Sequence, residues 1–322
     1  MKEFQTKYGN IKGIVSSEFY GNGMLKECTV NLYNELATPW GIFVPQYEDS
    51  GLRRKHIKSI SFYENGTLKS ISLNEQIKLQ TSAGIIPAEY ITFYESDRIK
   101  RILPLNGNIT AYWTEDDEYR LTDELTFDFP CGSFKSRIIG ILFYKCGMVK
   151  SLTLWPRNSI EVLSPVGSLK SRIGISLYPT GEIKSLEPEL PVAVITPIGR
   201  LMAFNAAAIG INGDANSLCF YKNGNIMSLA TSTDYIIAGC PDGGNKTFGP
   251  SLKSSLVDSA KKDIQPEYLY FNNGEVWFGA NSQDKYCISK CSFSIDSFPE
   301  LLNLTCSDCS NCNACGANKY EF

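Results

Sequence analysis

The chain has 322 residues, 43% of them hydrophobic, and a formal net charge of −3. This balance allows a sizeable core and does not favour nucleic acid or an anionic membrane surface as the partner. The first ten residues lack the apolar segment of a signal peptide, and no run of about 18 apolar residues predicts a membrane helix, so we expect a cytoplasmic protein.

Two short motifs alternate along most of the chain, and nearly every copy ends in glycine. The first is an aromatic pair, usually Phe-Tyr, then two variable residues and Gly, at 19–23, 62–66, 93–97, 143–147, 177–181, 220–224 and 270–274. The second is typically Thr or Ser, two residues and Gly, at 6–9, 38–41, 81–84, 129–132, 164–167, 196–199 and 240–243. Glycine supplies the positive φ of tight turns, and β-branched and aromatic residues flank each motif. The pattern predicts a domain over residues 1–280 with about seven units of two β-hairpins each.

The spacing of the turns limits the fold class. Successive turn glycines can be as close as 14 residues, from Gly9 to Gly23, which leaves room for short strands and none for a helix. We therefore predict an all-β fold with little helix, a repeat array of β-hairpins that forms an open or coiled β-meander or solenoid. A seven-bladed β-propeller is the alternative, although its blades need about 40–45 residues and some units here are shorter.

Longer intervals mark insertions into the array. They fall at residues 42–57, 104–128 and 204–216. The second insertion contains the acidic run 115–118, whose paired carboxylates could serve acid–base chemistry or bind a hard cation. A solvated loop is the expected structure of this run.

Two segments are predicted to be helical. In residues 249–263, Leu252, Leu256 and Val257 fall on one helical face. Residues 297–304 begin with the Ser-x-x-Glu spacing of a capping box and carry proline in the first turn.

The segment FYENGTLKSISL at 62–73 resembles the MORN-like repeat family, in the variant found in the YwqK group of bacterial proteins. There the unit reads roughly Tyr-x-Asn-Gly-x-Leu-Lys-Ser. The match is good at 62–71, 143–152 and 177–186, and weaker at 93–102, where Asp97 replaces Gly. The resemblance implies a β-hairpin array used as a scaffold or binding surface, and no shared enzymatic activity.

A lysine follows many of the turns. These lysines are Lys12, Lys26, Lys69, Lys100, Lys150, Lys170 and Lys184. If every second strand carries one, the strand spacing places the ammonium groups about 10 Å apart. Such a row could bind an anionic partner, with Lys69, Lys100, Lys150 and Lys184 as the candidate binding residues. The competing interpretation is that the lysines solvate exposed strands and block edge-to-edge aggregation.

The lysine row raises a question of register. Strict alternation of side chains would place Lys69 on the same face as Ile71, with Leu68 on the other face. Either a β-bulge intervenes, or both faces of the sheet are partly covered.

Residues 281–322 form a separate cysteine-rich segment. Its C-x2-C-x2-C-x2-C run supplies the candidate metal ligands Cys306, Cys309, Cys312 and Cys315, with Cys287 and Cys291 as possible additional ligands. The other cysteines are Cys28, Cys131, Cys146, Cys219 and Cys240. We expect these to be buried free thiols, because a chain without an export signal favours thiols and metal ligation over disulfides.

Thiolates three residues apart on a loop can converge on one metal ion. The run is similar to that of bacterial ferredoxins, but its fourth cysteine follows after two residues instead of three, and Gly316 replaces the proline. A [4Fe–4S] cluster and a zinc ion are therefore alternative cofactors, with iron–sulfur slightly favoured. Three interpretations involve no metal: a reactive thiol segment, a redox relay and a site of covalent modification.

No group of residues predicts catalysis. The single histidine, His56, lies in a polar insertion and is expected to be exposed. We therefore expect a non-enzymatic binding or scaffold protein whose partner is a protein. An anionic surface or nucleic acid is a further possible partner, which the net charge does not favour. The alternatives are a redox or iron–sulfur accessory protein that docks on a partner enzyme, and a propeller enzyme.

Overall fold

The computed structural model describes residues 2–49, 51–55, 58–209, 213, 216–241, 243–254, 262–279 and 284–297. The chain divides into two compact units, residues 1–189 with 209–225 and residues 190–208 with 226–322. Within the described ranges the single helix, α1 (Glu115–Arg120), has six residues, and no helix there has the length and apolar character needed to span a membrane.

The first unit is formed almost entirely of short antiparallel strands. Besides α1 it contains β1 (Lys2–Thr6), β2 (Gly9–Phe19), β3 (Leu25–Val30), β4 (Leu36–Thr38), β5 (Gly41–Phe43), β6 (Ile60–Phe62), β7 (Leu68–Thr81), β8 (Gly84–Phe93), β9 (Ile99–Leu103), β10 (Leu125–Phe129), β11 (Gly132–Ser136), β12 (Ile138–Phe143), β13 (Val149–Leu154), β14 (Ser159–Ser164), β15 (Gly167–Leu177), β16 (Ile183–Pro188) and β19 (Leu218–Phe220).

The second unit is also built from strands. They are β17 (Val192–Thr196), β18 (Gly199–Ala203), β20 (Ile226–Thr231), β21 (Asp234–Cys240), β22 (Gly244–Phe248), β23 (Ser251–Ser254), β24 (Lys262–Gln265), β25 (Glu267–Asn272), β26 (Glu275–Phe278), β27 (Asp284–Cys287) and β28 (Ser292–Ser297). Strands β27 and β28 pair with β26 and β21, so the start of the cysteine-rich segment is hydrogen-bonded into this unit.

The main sheet of the first unit is a continuous antiparallel meander. Its neighbours follow the order β1-β2-β3-β6-β7-β8-β9-β12-β13-β15-β16-β19. This confirms the predicted all-β array of hairpins. A propeller would divide the strands into separate four-stranded blades, which this unbroken ladder does not do.

Five copies of the Phe-Tyr-x-x-Gly motif, at 19–23, 62–66, 93–97, 143–147 and 177–181, form a turn followed by a β-bulge, whereas the strands around the copy at 270–274 pair without a bulge. In the copy at 62–66, the amide of Gly66 donates to the carbonyl of Tyr63 at 2.9 Å, and Gly66 adopts φ of 77°. Phe62 then pairs with Leu68 while Ser61 pairs with Ser70, so one residue between them is extra.

The extra residue is the lysine, which settles the question of register. Because Lys69 occupies the bulge, Leu68 and Ile71 can both be buried, at 1% and 0% exposure, while Lys69 itself is exposed. The same register shift recurs after four other turns of this kind in the first unit. The bulge was one of the two solutions that the sequence left open.

The tyrosines of these motifs join successive hairpins. Each hydroxyl donates to the carbonyl of the residue that precedes the next motif tyrosine. These hydrogen bonds run from Tyr20 to Phe62 (3.0 Å), from Tyr63 to Phe93 (2.8 Å), from Tyr94 to Phe143 (2.8 Å), from Tyr144 to Leu177 (2.8 Å) and from Tyr178 to Phe220 (2.8 Å). We call this series the tyrosine ladder. The tyrosine ladder accounts for the tyrosine in these five copies of the motif.

The second motif forms hairpin tips, and in five copies a Thr or Ser hydroxyl closes the tip. In the tip at 38–41, the Thr38 hydroxyl donates to the carbonyl of Gly41 at 2.8 Å and accepts the amide of Trp40 at 3.1 Å. Tips contact turns farther along the chain: the Trp40 indole donates to the carbonyl of Asp97 at 2.8 Å, and Ser82 donates to that of Gly147 at 2.8 Å. The tips therefore connect hairpin repeats that are not adjacent in sequence.

Asp97 shows why one copy of the first motif lacks glycine. Its φ is 59°, in the left-handed region that glycine occupies in the other copies. Its carboxylate accepts hydrogen bonds from the Tyr8 hydroxyl and from the Lys7 ammonium, the latter at 2.6 Å. These contacts offset the backbone strain that a side chain introduces there.

Two local expectations differ from the structure, and a third falls almost entirely outside the described residues. The acidic run is not a solvated loop but helix α1, whose cap Thr114 accepts the amide of Asp117 while the Asp117 carboxylate accepts that of Thr114. The predicted helix over 249–263 is wrong at both ends of the segment, because strands β23 and β24 pair there. Leu256 and Val257, between these strands, lie outside the described residues. Ser297 ends β28, and the rest of the segment 297–304 also lies outside them.

Candidate basic groove

A groove of about 480 Å³ on the first unit collects positively charged side chains. Lys69, Lys100, Arg101 and Lys150 line it, and no carboxylate does. The remaining lining residues are Tyr63, Ser70, Tyr90, Thr92, Phe93 and Leu142. We call this site the basic groove. It brings together three of the four lysines that the sequence nominated.

The bulges determine where these lysines stand. Lys69 lies on β7, Lys100 on β9 and Lys150 on β13, so each is separated from the next by one intervening strand. With neighbouring strands about 4.8 Å apart, the lysines recur about every 10 Å across the sheet. The predicted placement on every second strand is therefore found for these three residues.

The lysine heads lie against the tyrosine rings of their own turns. The Nζ atom of Lys69 is 5.7 Å from the ring centroid of Tyr63, and that of Lys100 is 5.8 Å from that of Tyr94. These distances are those of cation–π interactions, which hold the ammonium groups over the rings. Because the tyrosine hydroxyls are engaged in the tyrosine ladder, the rings can offer a partner only their faces.

The environment of the tyrosines is partly desolvated. Burial is the main cause that raises the pKa of Tyr63, and the negative charge of Glu95 adds to it. Burial likewise raises the pKa of Tyr94. The phenols therefore stay neutral at physiological pH and leave the groove its full positive charge.

The rest of the lysine row differs in its surroundings. Lys26 forms an ion pair with Glu18 at 3.2 Å, and Lys58 pairs with Glu18 and Glu27, so charge is balanced at that end. Lys184 occupies the same bulge position and lies 6.0 Å from the ring of Tyr178, but it does not line the groove.

Two lysines of the predicted row belong elsewhere. Lys12 lies on β2 opposite the Asn34 side chain, and Lys170 lies on β15 paired with Glu161, both in hairpins of the second motif. Within the described part of the chain, Lys69, Lys100 and Lys150 form no ion pair. Their charges are therefore available to an external anion.

Sequence reasoning missed the other members of the groove. Arg101 follows Lys100 directly, and Ser70 and Thr92 lie on neighbouring strands between the lysines. The Ser70 hydroxyl is 2.6 Å from that of Ser61. The position next to the bulge lysine was the available signal, since Ser70, Arg101 and Ser151 all occupy it.

A second charged cluster is buried in the same unit. The guanidinium of Arg53 donates to both oxygens of Glu118 at 2.9 and 2.8 Å and to both oxygens of Glu89 at 3.0 and 2.7 Å. Burial disfavours the Arg53 cation, but the hydrogen bonds to Glu89 and Glu118 outweigh this and raise its pKa. We call this the Arg53 cluster.

Further donors complete the Arg53 cluster. The amide of Gly107 and the indole of Trp113 both donate to Glu118 at 2.7 Å, and the amide of Asn106 donates to Glu89 at 2.8 Å. The carboxylates are thus satisfied from several sides, and the cluster fastens two insertions to the sheet. Glu118, a member of the acidic run considered for acid–base chemistry, is therefore engaged with Arg53, Gly107 and Trp113.

The candidate metal ligands are only partly described. Cys306, Cys309, Cys312 and Cys315 lie outside the described residues, as does His56. Within the described ranges no group of three or more His, Cys, Asp or Glu side chains could hold a metal ion. Of the two possible additional ligands, Cys287 is a half-buried free thiol, and its hydrogen bonds with Ser289 lower its pKa.

Cys291 forms a disulfide with Cys240. The register of β21 with β28 pairs Gly239 with Ser292, and this places the two cysteines, one residue farther on, with Cα atoms 4.4 Å apart. The expectation that Cys240 is a free thiol is therefore wrong, and Cys291 cannot ligate a metal while the bond is intact. A disulfide is uncommon in a reducing cytoplasm, which weighs against the predicted location.

The chain was compared with family models, curated proteins and solved structures, and none of the three comparisons gave a match.

Proposed function

We propose that this chain is a non-enzymatic binding or scaffold protein whose basic groove holds an acidic segment of a partner protein. The observation that carries the proposal is the set Lys69, Lys100, Arg101 and Lys150 in one groove without a carboxylate. Concentrated charge of one sign in a concave site attracts ligands of the opposite sign. The MORN-like resemblance, which implies a scaffold, supports the same function.

A protein partner fits the charge balance better than nucleic acid does. The net charge of the chain is −3, so long polyanions meet repulsion outside the groove. A short acidic segment needs only the local cations. The tyrosine faces beside them add apolar contact area that a peptide can use.

The test removes the three bulge lysines together. The variant Lys69→Glu/Lys100→Glu/Lys150→Glu should bind poly-L-glutamate about tenfold or more weakly than the unaltered chain, since each exposed pair contributes about 0.2–1 kcal/mol. Binding of a labelled polymer is measured by fluorescence anisotropy at two salt concentrations. The affinity of the unaltered chain should fall as salt rises, because exposed charges are screened.

The control is the variant Lys12→Glu/Lys78→Glu/Lys170→Glu. These three lysines are exposed strand residues of the first unit, and their replacement changes the net charge by the same amount, but none lines the groove. The control should retain most of the affinity. Equal losses in both variants, or none in the first, would contradict the proposal.

We further propose that the cysteine run at 306–315 binds a metal, as a [4Fe–4S] cluster or zinc. The support is the spacing of the thiolates, with the free thiol of Cys287 as the remaining candidate ligand. Elemental analysis of anaerobically purified chain should show iron or zinc, and a chain ending before Cys306 should lose it. Equal metal content in the two chains would contradict this proposal.

A further inference from the structure

We propose that the partner segment in the basic groove is a polyproline II helix with an acidic residue at every third position, lying across the strands. This rests on the proposed function and specifies the conformation and charge period of the ligand. Three features of the groove support the inference: the regular spacing of its lysines, the aromatic rings in its lining and the absence of carboxylates from that lining.

The charge period of the groove matches that of a polyproline II helix. Lys69, Lys100 and Lys150 stand on every second strand of the meander. Two strand spacings amount to about 9.4–9.8 Å. A polyproline II helix repeats every three residues with a rise of about 3.1 Å each, which gives about 9.3 Å per turn. Successive acidic side chains would therefore meet successive lysines.

Other conformations of an acidic segment fit less well. In an extended strand the side chains on one face recur about every 6.6–6.8 Å, which runs out of step with the lysines after one contact. An α-helix returns to the same face after seven residues, about 10.5 Å, but has a diameter of about 10–12 Å and offers one acidic side chain per two turns. The helix is therefore the competing ligand that the experiment must exclude.

The aromatic residues support the same ligand. Polyproline II segments dock in grooves lined with aromatic rings. The half-buried rings of Tyr63 and Tyr90 line the basic groove, whereas Phe93 is 2% exposed and offers almost no surface to a ligand. The hydroxyl of Tyr63 is committed to the carbonyl of Phe93, so this ring presents its face. The Lys69 ammonium lies 5.7 Å from the centroid of this ring. A proline ring can pack on the face when Lys69 turns away from it to meet the acidic residue beside the proline.

The hydroxyls between the cations suit the backbone of such a ligand. A polyproline II helix makes no internal hydrogen bonds, so its carbonyls need outside donors. Ser70 and Thr92 lie in the groove between the lysines. They can donate to ligand carbonyls that would otherwise lose their solvent.

The experiment compares acidic peptides of equal length and charge on the full chain. One peptide repeats Glu-Pro-Pro, a second contains the same residues with all Glu grouped at one end, and a third repeats Glu-Gly-Gly. Isothermal titration calorimetry should show the first binding about tenfold more tightly than either of the others, because it alone combines the charge period with a preorganised backbone. The variant Lys69→Glu/Lys100→Glu/Lys150→Glu should abolish this preference, and Lys12→Glu/Lys78→Glu/Lys170→Glu should preserve it.

The outcomes separate this inference from the proposed function. If the periodic and grouped peptides bind equally, and poly-L-glutamate still requires the bulge lysines, the inference is overturned and the proposed function stands. Tighter binding of a helical peptide with Glu at every seventh position also overturns the inference alone. If no acidic polymer or peptide binds through these lysines, both are wrong.

Discussion

Replacing Arg53 with methionine is expected to destabilise the first unit by about 3–5 kcal/mol, because it leaves two buried carboxylates without their counterion. The side chains of Arg53, Glu89 and Glu118 are only 14%, 8% and 5% exposed. The amides and the indole that also donate to the carboxylates cannot replace the lost cation. Urea unfolding followed by circular dichroism measures the loss.

A surface ion pair of the same region is the matched control. Arg157 pairs with Asp116 of α1, and these side chains are 66% and 48% exposed. Arg157→Met removes the same kind of cation, and we expect a loss of less than about 1 kcal/mol. Losses of similar size for the two variants would show that burial of the Arg53 cluster does not matter.

A second set of variants distinguishes lost charge balance from lost packing. Adding Glu89→Gln and Glu118→Gln to Arg53→Met removes the uncompensated charges, so the triple variant should be more stable than the single one. A loss of stability of the same size in the triple variant would point to packing instead.

The hairpin array could be predicted from the sequence because its determinants are local. A turn glycine such as Gly66 and the aromatic pair before it lie within a few residues of each other. The bulge at Lys69 was foreseen as one of two possibilities, because the apolar residues Leu68 and Ile71 conflict with strict alternation. Local patterns thus determine the strands and the position of each bulge lysine.

Features that join distant parts of the chain left no such signal. Arg53 meets Glu89 and Glu118 across 36 and 65 residues, and their identities do not indicate the pairing. Cys240 and Cys291 are separated by 51 residues and meet through the register of two strands. The basic groove could be predicted in part. The positions of its lysines follow from the local motif, but which lysines lie side by side depends on the order of the strands in the sheet.

Removing the hydroxyls of the tyrosine ladder is the second change with a large expected effect. The variant replaces Tyr63, Tyr94, Tyr144 and Tyr178 with Phe. Each change leaves a main-chain carbonyl without its donor, at a cost of about 0.5–1.5 kcal/mol. The sites lie on different hairpins, so the losses should roughly add to about 2–6 kcal/mol in urea unfolding.

The control is Tyr112→Phe, because Tyr112 is 79% exposed and its hydroxyl has no partner in the described structure. We expect a change within about 0.5 kcal/mol. A quadruple variant as stable as this control would mean that the tyrosine ladder contributes no net stability.

The pH dependence identifies the hydroxyls as the cause. Burial raises the pKa of the four phenols above their ordinary value. Because the pKa of these phenols is higher in the folded state than in the unfolded state, their full contribution to the free energy of unfolding is present below a pH of about 10. That contribution is lost as the pH rises further, because the phenols of the unfolded chain ionise first. The unaltered chain should therefore lose stability between neutral and strongly alkaline pH, and the quadruple variant should lose less.

Because phenylalanine keeps the ring faces, the quadruple variant should still bind the Glu-Pro-Pro peptide at neutral pH while it remains folded. Loss of that binding in a folded variant would show that the hydroxyls, and not the ring faces, serve the basic groove.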